Sequence, residues 1–191
     1  MSNFYIADLH LSHKRVIEYD NRPFKDIEDN DKTLINNWNS VVSKNDTVYV
    51  IGDFIWIKEQ EWPKYLEELK GNIVLIKGNH DPKAFSKNTK AYFSDIKDYK
   101  EITDNDKRVI LCHYPILFFN HDFDDNSYML YGHVHNSVEY EYIKTIQDNI
   151  RNDKREHKPT GNFINVGCMM PYMSYTPRKL DEIITRYNIG D

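Results

Sequence analysis

Five apolar stretches of this chain each run into side chains able to bind a metal. Phe4 to Ala7 leads into Asp8-Leu9-His10, and Thr47 to Ile51 into Gly52-Asp53. Asn72 to Ile76 leads into Gly78-Asn79-His80-Asp81, Val109 to Cys112 into His113, and Met129 to Tyr131 into Gly132-His133-Val134-His135. The chain has only 8 histidines, so their concentration at these ends is informative. In α/β sheets, ligands gather in the crevice beyond the carboxyl ends of the strands. Neighbouring strands lie ~4.8 Å apart, so adjacent strand ends can bring such side chains within coordination distance. Gly52, Gly78 and Gly132 suit the tight turns and close backbone approach that these loops need.

The donors are two aspartates, one asparagine and four or five histidines, with no thiolate. Mixed imidazole and carboxylate donors suit Mn, Fe, Zn, Co or Ni better than Ca or Mg. Seven donors exceed the roughly three or four of a single catalytic zinc site. They suit two ions ~3.5–4 Å apart sharing a carboxylate, as in many phosphatases and nucleases. Each segment alone has a plainer explanation. Asp8-x-His10 and Gly52-Asp53 are turn signals, Asp81 can cap a helix ahead of Pro82, and His133 and His135 can share one strand face. Five such segments in series are not accounted for in this way.

The elements that must position these residues alternate in the first half. Phe4–Ala7, Thr47–Ile51 and Asn72–Ile76 read as strands. Asp26–Val42 reads as a helix, with Ile27, Leu34, Ile35, Trp38, Val41 and Val42 on one side at helical spacing. Glu59–Leu69 reads as a second helix, and Pro82–Tyr92 as helical in part. The second half is richer in strands: Ile96–Ile102, Arg108–Cys112, Tyr128–Tyr131 and Phe163–Val166. Helices are expected at Glu139–Asn152 and Leu180–Tyr187, with Lys154–Gly161 as a long, mobile loop. This order predicts an α/β sandwich with mixed sheets.

The length of 191 residues suits one domain. No apolar run approaches the ~18 residues of a membrane span. The start, Met1-Ser2-Asn3-Phe4, lacks the features of a signal peptide. The two cysteines form no CxxC pair, so a reducing cytoplasmic location is expected. A net charge of −5, from 25 basic and 30 acidic residues, argues against a general polyanion binder. It leaves room for an enzyme that takes one phosphate group at a metal site, since formal charge omits bound cations.

Asp8-x-His10, Gly52-Asp53, Gly78-Asn79-His80-Asp81, His113 and Gly132-His133-x-His135, in that order, resemble the motifs of the calcineurin-like metallophosphoesterases. Asn21-Arg22-Pro23-Phe24, Asn37-Trp38-Asn39, Asn165-Val166-Gly167 and the stretch before Leu180 are similar to small single-domain members of bacteria and their phages. The resemblance implies a four-layer α/β/β/α sandwich forming one domain over residues 1–191, without a cap domain. It implies that Asp8, His10 and His135 bind one metal, that Asn79, His113 and His133 bind a second, and that Asp53 bridges both. His80 would contact the scissile phosphate and protonate the leaving oxygen, oriented by Asp81. A hydroxide bridging the ions would attack phosphorus in line. Imidazole is the usual general acid near neutral pH, which suits that role.

The expected function is hydrolysis of a small phosphodiester or phosphomonoester with two divalent ions. Manganese is the first expectation, with Fe, Zn, Ni or Co as alternatives. A nuclease of the same superfamily is the runner-up, disfavoured because no basic track is visible. A non-catalytic scaffold ranks last, because such proteins lose ligands that are intact here. His13 could face the crevice or cap a helix. Arg22 could reach a substrate phosphate, which bidentate arginine suits, or form a surface ion pair. Trp56 and Trp62 read as core or rim.

Overall fold

The computed structural model describes residues 1–189. Two four-stranded sheets carry the chain, in the orders β1-β2-β3-β4 and β5-β6-β7-β8. The first sheet is parallel throughout: β1 (Asn3–Ile6), β2 (Thr47–Ile51), β3 (Asn72–Ile76) and β4 (Phe93–Lys97). The second is mixed. β5 (Tyr99–Asp104) is antiparallel to β6 (Lys107–Cys112), which runs parallel to β7 (Ser127–Tyr131), which runs parallel to β8 (Phe163–Asn165). With helices outside both sheets, the arrangement is the four-layer α/β/β/α sandwich. β2 and β3 are buried over four consecutive residues each, the pattern of parallel strands covered on both faces.

The helices are α1 (Val16–Tyr19), α2 (Ile27–Val41), α3 (Pro63–Leu66), α4 (Lys87–Lys90), α5 (Val138–Asn152) and α6 (Leu180–Ile189). α2 begins where Asp26 accepts a hydrogen bond from the Asp29 amide and ends with Val42 extended. Leu34, Ile35 and Trp38 are buried as its apolar spacing requires, but Val41 is exposed. In place of a continuous apolar stripe, α2 buries Asn30 and Asp31, which turn toward the loops that follow β1. Trp38 stacks on Phe54, and Trp62 meets Phe54 and Phe85 edge-on. Trp62 is therefore core, while Trp56 is partly exposed on the rim.

Three expected elements form differently. The strand expected over Ile96–Ile102 is split between β4 and β5, which lie in different sheets on either side of Asp98. Hydropathy cannot distinguish one long strand from two that leave the same corner. The helix expected over Glu59–Leu69 is a 3₁₀ turn at Glu59–Glu61 followed by the four residues of α3. Pro63 cannot donate to a continuous ladder. Pro82–Tyr92 is helical only in α4, capped by Ser86. α1 adds a single helical turn between Asp8-x-His10 and α2. The Lys154–Gly161 stretch is irregular, and Lys158 donates to the carbonyls of Ile150, Arg151 and Asp153 at the end of α5.

The sheets are joined at the carboxyl end of β1. The Ala7 amide donates to Val166 and the Cys168 amide to Ala7, while Tyr5 and Arg178 exchange backbone bonds. This brings Asp8 against the loop after β7.

Candidate metal centre

The strand ends converge. Asp8, His10, Asp53 and His135 each offer a ligand atom, all within 4.8 Å of one another. His10 Nε2 and His135 Nε2 are 3.2 Å apart. His10 Nε2 also lies 3.6 Å from Asp53 Oδ2. The same oxygen lies 3.6 Å from His113 Nε2. His113 Nε2 is 3.0 Å from Asn79 Oδ1, which is 2.9 Å from His133 Nδ1. Asp53 thus stands between two donor clusters. Donors at bond lengths of ~2.0–2.2 Å around one cation sit roughly 3.0–3.4 Å apart, and most of these separations approach that range. Two imidazole nitrogens as close as those of His10 and His135 need a shared proton or a cation, and the surrounding carboxylates favour a cation.

Electrostatics point the same way. Burial pushes the carboxyls of Asp8 and Asp53 up from the usual range and pulls His10 well down. Burial also lowers His133 and His13. His135 is the exception: burial is the largest single influence and pulls it down, but its hydrogen bond to Asp20 together with the charges of Asp8 and Asp20 raises it overall. A divalent cation would relieve the desolvated carboxylates without protonating them.

The backbone of these loops is unusual. Asp8, His10, Asp53, His133 and His135 all have positive φ, from 49° to 71°. Asp and His are among the few residue types that enter this region with some ease, and such conformations cluster at functional sites. Two glycines are dictated by close approach. A Cβ on Gly78 would stand 2.2 Å from Asp53 Oδ1, and one on Gly132 would stand 2.6 Å from Asp8 Oδ2. Gly78→Ala should therefore displace Asp53. A misplacement of this kind costs about 10²-fold in turnover, accompanied by reduced metal content in elemental analysis. Unchanged metal content and rate would show that the loop can yield.

Two assignments from the sequence change. Arg22 is buried, not at the surface, and all five of its N–H donors are spent inside the protein. Nε and Nη2 meet Asp20 Oδ2 at 2.9 and 2.8 Å. Nη1 donates to Leu9 O and Asn30 Oδ1, and Nη2 also to Asp8 O. No donor remains for a substrate phosphate. Asp81 does not touch the His80 ring; its carboxylate accepts from the amides of Asp53, Phe54 and Gly78. It ties the loop after β3 to the loop after β2. His80 is set instead by its own amide, which donates to Asp53 Oδ1, and by Trp56, whose ring centroid lies 4.5 Å away.

His13 faces the crevice. It stacks on Trp56 at 3.9 Å and, with His10, His80 and His135, lines a cavity of about 370 Å³. Sequence reasoning missed Asp20, whose Oδ1 lies 2.5 Å from His135 Nδ1. Its only sequence signal is proximity to Arg22. It also missed Asn165 as a support: its amide donates to the His135 carbonyl.

The calcineurin-like phosphoesterase superfamily domain matches residues 1–180, and the chain belongs to that family. The chain is 34% identical over 185 residues to the uncharacterised protein MJ1445 of Methanocaldococcus jannaschii, covering 95% of this chain and 88% of that one. It is 40% identical over 88 residues to the Gene 66 protein of Mycobacterium phage L5, covering 42% of this chain and 41% of that protein. Among solved structures, AQ665 of Aquifex aeolicus, a protein of unknown function, superposes with a TM-score of 0.65 at 25% identity, covering 96% of this chain and 97% of that one. Among the described residues, no helix is long and apolar enough to cross a membrane.

Proposed function

We propose that the protein is a phosphoesterase that uses two divalent metals, manganese first among them, to hydrolyse a small phosphodiester or phosphomonoester. The observation that carries this reading is Asp53 Oδ2, which stands 3.6 Å from a histidine nitrogen of each cluster. Asp8, His10 and His135 would hold one ion, Asn79, His113 and His133 the other, and Asp53 both. Bound there, two divalent cations supply a nucleophile from water at neutral pH and neutralise the phosphoryl oxygens. The residues of the chain do the rest. The His113 ring is fixed by Nδ1 donating to the Ile51 carbonyl, which leaves Nε2 free for a metal. Asp81 holds the Asp53 and Gly78 loops in register. His80 is 46% exposed at the side chain, and its Nε2 is 4.0 Å from Asp53 Oδ2. It belongs to neither cluster and is free to give a proton to the leaving oxygen.

The test is a metal count and a substrate panel on one sample. Protein reconstituted with manganese should hold two equivalents. It should hydrolyse aryl or nucleotide esters faster than single-stranded DNA. One equivalent, or no hydrolysis of any ester, would overturn the proposal.

The folded state alone assembles these donors, so metal should stabilise it. At an ion concentration 100 times the dissociation constant the gain is about 2.7 kcal/mol. For a chain of this size that is roughly 5–11 °C in melting temperature. Calorimetry in excess chelator should show a drop of that order, and an unchanged curve would count against the metal-binding reading.

A further inference from the structure

We propose that Asp20, clamped by Arg22, is a positioning residue that fixes the ring of His135 and makes the cluster of Asp8, His10 and His135 the tighter of two metal sites. The inference rests on the two-metal reading above and deepens it. Asp20 and Arg22 have side chains only 3% and 0% exposed. A buried ion pair is costly to desolvate and is weak as a source of stability, so its contacts show what it is for. One Asp20 oxygen takes both Arg22 contacts, and the other receives His135 Nδ1. The remaining arginine donors go to Asn30 and to the carbonyls of Asp8 and Leu9, the loop that carries the ligands Asp8 and His10. Asn165 fixes the His135 carbonyl from the far side. The His135 ring and the Asp8–Leu9 backbone are thus tied to one buried ion pair.

The consequence is chemical as well as geometric. With the proton held on Nδ1 by a carboxylate, His135 presents the Nε2 lone pair to the cluster as a stronger donor. Among the described residues, neither histidine of the second cluster hydrogen-bonds a carboxylate in this way. His113 Nδ1 hydrogen-bonds the neutral carbonyl of Ile51, with the Asp8 carboxylate 3.9 Å away, and the cluster includes the uncharged amide of Asn79. The two sites therefore differ in affinity, and Asp20 acts on one of them.

The experiment is a manganese titration of the full chain by calorimetry, for the wild type and Asp20→Asn, with melting curves of both in chelator. The wild type should show a tight and a weaker class of site. In Asp20→Asn the tight class should weaken about 10–100-fold, while the weaker class keeps its affinity. Equal weakening of both classes would mean a general structural role and would overturn the proposal. Two unchanged classes would overturn it too, and would leave the two-metal reading standing. A wild type that binds a single ion would overturn both. Should Asp20→Asn fail to fold, ring-nitrogen NMR of cadmium-loaded wild type decides. Coupling to the metal through His135 Nε2, with Nδ1 protonated, is expected; coupling through Nδ1 would overturn the assignment.

Discussion

Asp53→Ala should abolish turnover and reduce the metal content below two equivalents. Its Oδ2 stands between the clusters, 3.6 Å from both His10 Nε2 and His113 Nε2. Its second oxygen accepts the His80 amide, so the substitution also frees the loop that carries the candidate acid. Lewis-acid stabilisation by metal is worth several kcal/mol in the transition state. At about 1.36 kcal/mol per factor of ten, the expected loss is at least roughly 10³-fold. Elemental analysis and anomalous scattering would follow the ions while an aryl phosphate assay follows the rate. A variant that retains both ions at full occupancy would deny Asp53 the bridging position. A variant that loses an ion but keeps its rate would deny that both ions are needed.

His80→Ala should separate catalysis from metal binding. The ring stands outside both clusters, so the variant should keep both metals. Its turnover should fall about 10²–10⁴-fold, the usual worth of general acid catalysis. The loss should be smaller for aryl than for alkyl esters, because a stable leaving anion needs little protonation. A defect equal across leaving groups would make His80 a binder of the phosphoryl group and not an acid. An emptied metal site would make it a ligand.

The convergence of the seven candidate donors was legible because each follows an apolar strand, and strand ends in an α/β sheet converge by topology alone. The sandwich was legible for the same reason, since strands buried on both faces leave unbroken apolar runs. The supports were not. Asp20 lies in a turn with no periodic pattern around it, and only the folding of α1 brings it under His135. Arg22 reads as a surface cation because nothing local reveals that four acceptor atoms surround it. The resemblance implied that Asp81 orients the neighbouring His80 ring, yet its carboxylate turns to three backbone amides. Adjacency along the chain says little about which way a side chain faces when the backbone turns sharply. The junction at Asp98 was hidden too, because β4 and β5 share one run of residues but not one sheet.

The stitching of β1 to Val166, Cys168 and Arg178 has a consequence for the order of events during synthesis. Every candidate ligand has been translated by His135, but Asp8 and its loop gain their second wall only when Val166 to Cys168 pair with Ala7. At ~5–20 residues per second the ribosome takes seconds to cover that interval. The parallel sheet of β1 to β4 is complete by residue 97 and can form on the nascent chain, yet the outer edge of β1 stays open until Gly167 and Arg178 arrive. Completion of the Asp8 loop is thereby deferred until residues 166–168 have been translated, after the strands of the first sheet are available to pair.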